Sequence, residues 1–98
     1  FMEIEEIVMA LRKRIVDFRE SQLYKNSKPI RFFGNAISIA VDLTDLAINN
    51  NRPILPEERY WFEGSYLIDN SLTGEWEDIS SLYKKLIKIV KQNDFYNR

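Results

Sequence analysis

A polar stripe along an otherwise apolar segment, residues 30–49, most constrains how this 98-residue chain can fold. The stripe recurs at the three- and four-residue spacing of an α-helix and consists of Arg31, Asn35, Ser38, Asp42, Asp45 and Asn49. Nearly all residues between its members are apolar. Because a helix that is apolar on most sides must pack against other helices, the stripe predicts an all-α fold. We expect this helix to be the most enclosed one and to meet water only along the stripe.

Four segments of the chain carry helix signals. Apolar residues recur at the helical period in the first, second and last segments, and an aromatic-rich run follows Pro56 in the third. Ser27 and Pro29 are typical of a helix start, whereas Pro53, preceded by a run of asparagines, is typical of a stop. The predicted helices cover about 3–24, 29–49, 56–70 and 75–91.

Short connections between these helices predict one domain, residues 1–98, with neighbouring helices antiparallel. An up-down four-helix bundle is the simplest arrangement. The alternative is a three-helix core that the helix over 56–70 crosses at an angle. The tail is expected to fray unless Phe95 and Tyr96 fold back onto the helices.

The composition excludes several classes of site. The chain has no His and no Cys, so imidazole catalysis, thiolate chemistry and the usual zinc ligands are missing. Glycine-rich phosphate loops and EF-hand loops are also missing from the sequence. We therefore expect no enzymatic activity, no cofactor and no metal. The sequence has no apolar run of the ~20 residues that a membrane span needs, and we expect a cytoplasmic protein.

Charge is distributed unevenly along the chain. Residues 1–31 carry a net charge of +2, residues 32–78 of −7 and residues 79–98 of +4. The basic groups of the first and last helices are expected to lie on neighbouring helices, and one alternative function is a nucleic-acid-associated or regulatory domain that uses this basic face. A sequence pI near 5.5 and interspersed carboxylates argue against it, so we expect nucleic acid not to be the partner.

Asp42 and Asp45 lie three residues apart and therefore on one face of their helix. A carboxylate pair could act as acid and base, but both side chains belong to a stripe that faces water and both point the same way. They are better interpreted as part of a solvated line or of a polar contact surface.

Three consecutive aromatic residues, Tyr60, Trp61 and Phe62, cannot all face one core, because neighbouring helical residues point ~100° apart. We expect Trp61 and one neighbour to be buried and the other to be half covered. The alternative is an aromatic anchor for another protein, since Tyr and Trp are common at interface hot spots.

A small helical chain with an acidic middle and surplus aromatic residues resembles the small helical immunity proteins and antitoxins of bacteria, which neutralise a toxin by covering it. The resemblance implies a stoichiometric inhibitor of a basic protein such as a nuclease. A homodimer is compatible with this interpretation. The predicted partner-binding residues are Tyr60, Trp61, Glu57, Glu63, Asp69, Asp42 and Asp45.

Overall fold

The computed structural model describes residues 2–63 and 72–97. Regular structure within these two ranges is entirely helical, which confirms the predicted all-α class. The elements are α1 (Met2–Arg19), α2 (Gln22–Asn26), α3 (Lys28–Asn49), the 3₁₀ helices η1 (Pro56–Phe62) and η2 (Gly74–Trp76), α4 (Glu77–Lys91) and α5 (Asp94–Asn97). None of the described helices is long and apolar enough to cross a membrane.

The helix predicted over 3–24 is wrong in one respect, because it breaks after Arg19. Ser21 has an extended backbone (φ −74°, ψ 153°), and its hydroxyl accepts a hydrogen bond from the Tyr24 amide at 3.2 Å. The same hydroxyl donates to the Phe18 carbonyl at 2.6 Å. These two side-chain hydrogen bonds take the place of backbone hydrogen bonds that a continuous helix would form, so they favour a break at Ser21.

α3 begins and ends close to the predicted positions. Ser27 caps it by accepting a hydrogen bond from the Ile30 amide at 3.4 Å, and Pro29 lies in its first turn. Its C-terminus is closed by the Asn50 amide, which donates to the Leu46 carbonyl at 2.9 Å. The left-handed backbone of Asn51 (φ 51°) then turns the chain away from the helix axis.

α1 lies between the other two long helices of the described chain and packs against both α3 and α4. The expectation that α3 is enclosed everywhere except along the polar stripe is wrong. Phe32, Ile39 and Leu46 recur every seven residues beside the stripe and are exposed. Such side chains share one face of the helix, so α3 also presents an apolar row to solvent.

The helix predicted over 56–70 starts at Pro56, as expected, but its described part is a 3₁₀ helix that ends at Phe62. Glu63 is extended (φ −135°, ψ 153°), so the helix does not continue through it. The remainder of that prediction lies outside the described residues. Three α-helices longer than ten residues are present in residues 2–63 and 72–97, and the up-down four-helix bundle stays a prediction.

The C-terminal segment folds back onto the loop that leads into η1. Phe95 and Tyr96 are both buried, and the Phe95 carbonyl accepts a hydrogen bond from the Ile54 amide at 2.8 Å. This confirms the second of the two outcomes expected for the tail. The chain end and η1 therefore support one another.

Candidate protein-binding site

The start of η1 is fixed by an ion pair and by a hydrogen bond to the backbone. The guanidinium of Arg52 donates to both carboxylate oxygens of Glu58, at 3.1 and 2.9 Å. The same carboxylate accepts a hydrogen bond from the Leu55 amide at 3.0 Å, across the first turn of η1. The hydrogen bonds from Arg52 hold the pKa of the Glu58 carboxyl below its ordinary value. A planar guanidinium bound at two points fixes both distance and orientation.

The end of η1 is held by contacts with buried residues of α4 and α5. The buried Tyr83 of α4 donates its hydroxyl to the Trp61 carbonyl at 2.7 Å. Phe62 is fully buried and lies edge-on to the Tyr96 ring, with 5.8 Å between the ring centroids. Residues 61 and 62 are therefore attached to two different helices, α4 and α5.

Glu63 is engaged by the C-terminal helix. Its carboxylate accepts a hydrogen bond from the hydroxyl of Tyr96. Burial, together with this hydrogen bond, raises the pKa of Tyr96 far above its ordinary value. The Arg59 guanidinium lies 5.2 Å from the centroid of the Tyr96 ring. The predicted site residue Glu63 thus has an internal partner.

These contacts leave Tyr60 facing solvent. Its side chain is 54 % exposed, and its ring stands edge-on to Trp61 with 5.0 Å between centroids. Trp61 is partly buried against the core, and Glu57 is exposed one turn earlier. Among the three aromatic residues the buried one is Phe62, the half-covered one is Trp61 and the most exposed one is Tyr60. The expectation that Trp61 is buried is therefore wrong. Because η1 is already held in place by these contacts, little further conformational entropy is lost when Tyr60 binds a partner.

The two aspartates of the stripe are paired with α1. Arg12 donates to Asp42 at 3.0 Å and forms an ion pair with Asp45 at 3.2 Å. Asp45 also accepts a hydrogen bond from the Asn49 amide group. The hydrogen bond to Asp42, and then the charge of Asp45, raise the pKa of Arg12. The structure therefore joins these carboxylates to helix α1.

The predicted partner-binding residues consequently fall into two groups. Glu57, Tyr60, Trp61 and Glu63 lie on η1 or directly after it, whereas Asp42 and Asp45 line the contact of α1 with α3. The remaining predicted residue, Asp69, lies outside the described residues. Across the described chain, no group of three or more Asp or Glu side chains is arranged to hold a metal ion.

The helices that carry the predicted basic face, α1 and α4, do pack together, but several of its cations bridge to acidic groups. Arg14 donates to both carboxylate oxygens of Asp78, at 2.6 and 3.1 Å, and lies 4.7 Å from the centroid of Trp76. The hydrogen bonds from Arg14 lower the pKa of Asp78. Lys85 forms a further ion pair with Glu3 at 3.4 Å.

A second surface was missed by sequence reasoning. Met9 and Val16 are 71 % and 66 % exposed on α1, beside the groove between α1 and α3. The available signal was their seven-residue spacing on a helix whose other apolar residues already form a core face. Two apolar residues off that face mark a second side of α1.

Comparison of the chain with protein-family models, curated proteins and solved structures finds no match. The resemblance to immunity proteins and antitoxins therefore stands only on size, helix content and surface character.

Proposed function

We propose that this chain is a non-catalytic protein-binding module whose contact surface is centred on Tyr60. The observation that carries the proposal is a half-exposed tyrosine on a short helix that is held at both ends. Arg52 and Glu58 hold the start of η1, and Tyr83 and Tyr96 hold its end. Aromatic side chains on pre-organised elements are typical of the centre of a protein interface.

The proposed partner is a basic protein. Glu57 is exposed on the same element as Tyr60. Residues 32–78 carry a net charge of −7, of which Arg12 and Arg14 of α1 offset a part through their ion pairs with Asp42, Asp45 and Asp78. An acidic surface speeds association with a basic protein and makes the rate depend on salt. We further propose stoichiometric inhibition, of the immunity or antitoxin type, of a nuclease toxin or a similar basic protein. That step rests on the resemblance in size and surface character.

An affinity capture with matched variants tests the proposal. Wild-type chain, a Tyr60→Ala variant and a Phe32→Ala variant are immobilised and exposed to lysate of the source cells at low and high salt. Phe32 is the matched control, because it is an exposed aromatic residue (49 %) on a different element, α3.

We expect one basic protein to be retained by the wild-type and Phe32→Ala chains and to be lost with Tyr60→Ala. The captured protein, once purified, should be inhibited at one molecule of chain per molecule. Equal retention by all three chains would contradict the assignment to Tyr60. Retention of nucleic acid alone would instead favour the basic face of α1 and α4.

A further inference from the structure

The 3₁₀ geometry of η1 arranges its side chains in three rows. A 3₁₀ helix has three residues per turn, so side chains at positions i and i+3 eclipse one another. Exposure follows this period, because the row that ends at Phe62 is the most buried, the row that ends at Trp61 is partly buried, and the row of Glu57 and Tyr60 is exposed. A carboxylate and an aromatic ring therefore lie one turn apart, about 6 Å along the axis, on one row that faces solvent.

The orientation of the Tyr60 ring is set by its neighbour. The planes of the Tyr60 and Trp61 rings are inclined by 84° with 5.0 Å between centroids, so the edge of one ring meets the face of the other. Whichever ring supplies the edge, Trp61 covers at most one face of Tyr60, and the Tyr60 side chain is 54 % exposed. Part of an oriented aromatic face is therefore accessible beside Glu57.

The exposed row of η1 also carries a carboxylate that a cation can reach. Within the described residues Glu57 forms no ion pair, and the neighbouring guanidinium of Arg52 binds Glu58 at two points. Arg59 lies over the ring of Tyr96, 5.2 Å from its centroid. Both arginines of this segment are thus engaged by other groups, so the Glu57 carboxylate can bind a cation from outside the chain.

An internal contact of the same molecule shows what an aromatic ring and a carboxylate can hold together. Around the start of α4, the Arg14 guanidinium lies 4.7 Å from the centroid of Trp76 and donates to both carboxylate oxygens of Asp78. A planar guanidinium can stack on a ring and bind a carboxylate at two points, whereas a lysine ammonium is a compact point charge. Glu57 and Tyr60 offer the same two chemical groups at the surface.

We propose that Glu57 and Tyr60 form a binding site for one arginine side chain of the partner protein. The guanidinium stacks on the accessible face of Tyr60 and donates hydrogen bonds to the Glu57 carboxylate, while Trp61 keeps the ring oriented. The inference rests on the proposed function, because it uses the same surface and names the residue type of the partner that Tyr60 contacts. A cation on an exposed aromatic face strengthens binding about two- to fivefold.

Hexa-arginine and hexa-lysine peptides test the preference, since they carry the same formal charge and differ in the cationic group. Titration of the isotope-labelled chain at low salt, followed by NMR, measures both the affinity and the location of binding. We expect hexa-arginine to bind the wild-type chain about fivefold more tightly than hexa-lysine and to shift the signals of residues 57–61. Equal affinities, or shifts confined to other helices, would overturn the proposal.

Variants separate the contribution of the ring from that of the carboxylate. Tyr60→Leu should bind the two peptides equally, whereas Tyr60→Phe should keep the preference for arginine, because the ring and not the hydroxyl carries it. Glu57→Gln should weaken hexa-arginine binding about two- to fivefold. Glu77→Gln, which changes an exposed carboxylate on α4, is the matched control and should bind like wild type. A preference for arginine that survives Tyr60→Leu would overturn the site.

The captured partner distinguishes this inference from the proposed function. Replacing the contacting arginine of the partner by lysine should weaken binding to the wild-type chain and have no further effect on Tyr60→Leu, which a double-mutant cycle measures. A partner that is captured through Tyr60, yet loses no affinity when any of its surface arginines becomes lysine, would overturn the arginine site and leave the proposed function in place. A preference for hexa-arginine without any captured protein would keep the site and overturn the proposed function.

Discussion

Replacement of Gly34 by alanine tests how tightly α1 closes on α3. An added Cβ would lie 2.9 Å from Cε2 of Phe18 and 3.2 and 3.4 Å from two ring atoms of Tyr24. Carbon atoms in good contact are about 3.5–4.0 Å apart, so the methyl group is accommodated only if the rings move. Phe18 is fully buried and packs edge-on against Tyr24 and Trp76, which limits that movement.

The magnitude follows from two opposing effects. Alanine in place of glycine inside a helix stabilises by about 1 kcal/mol. Overpacking a well-filled site costs about 1–3 kcal/mol. We expect Gly34→Ala to lower the free energy of unfolding by up to about 2 kcal/mol, and a loss of ~1 kcal/mol would lower Tm by roughly 4–8 °C for a chain of this size.

Urea denaturation followed by circular dichroism measures the effect. Ser81→Ala is the control, because Ser81 is exposed on α4 and the change should stabilise slightly through helix propensity alone. In a Phe18→Leu background the ring atom nearest to Gly34 is removed, and Gly34→Ala should become neutral or stabilising. A Gly34→Ala chain that is ~1 kcal/mol more stable than wild type would refute the close packing of Phe18 on α3.

Two further perturbations probe the attachment of η1, and the second also involves the ion pair of Arg14 with Asp78. Tyr96→Phe removes the hydroxyl that binds Glu63 and should cost about 1 kcal/mol in urea denaturation, with the helical circular dichroism signal unchanged. Glu58 and Asp78 have a lower pKa in the folded chain than their ordinary values of 4.5 and 3.8. Each therefore stabilises the fold above its ordinary pKa, and this contribution is lost as the pH falls through the folded pKa. The urea midpoint of the wild-type chain should therefore fall as the pH is lowered through that range. In the Arg52→Met variant the midpoint should depend less steeply on pH, because the Arg52–Glu58 ion pair is missing. An identical pH dependence in the two chains would contradict the role of this ion pair.

Local signals predicted most of the helices but missed a break between two of them. Ser27 and Pro29 define the start of α3 by their own backbone and side-chain chemistry, and such signals are visible in the sequence. Ser21 carries the same type of side chain, but serine also occurs within helices with its side chain towards solvent, so the residue alone does not mark a break. Ser21 caps a helix that brings Tyr24 against Phe18 and Gly34. This tertiary packing cannot be inferred from the sequence around Ser21.

The length and type of η1 depend on distant residues. Its helix-start signature was read correctly at Pro56, but its continuation past Phe62 was not. Tyr83 and Tyr96, which hold its end, lie more than twenty residues away along the chain. Contacts of this range are invisible to periodicity, which describes only neighbours within a few turns.

The candidate site was predictable in its residue types and not in its pairings. Three adjacent aromatic residues cannot all face one core, so an exposed one was predictable, but the pattern did not identify it as Tyr60. The partner of Asp42, by contrast, is Arg12, thirty positions earlier on another helix. An acidic block in sequence therefore carries less free charge in the fold than its composition implies.

Calorimetric titration of the captured partner into wild-type, Tyr60→Ala and Phe32→Ala chains tests the assignment of the contact surface most directly. We predict a stoichiometry of one to one and, for Tyr60→Ala, an affinity about thirtyfold weaker, which corresponds to a hot spot of ~2 kcal/mol. Phe32→Ala should bind like wild type. Equal affinity of the Tyr60→Ala and wild-type chains would contradict a binding surface centred on η1.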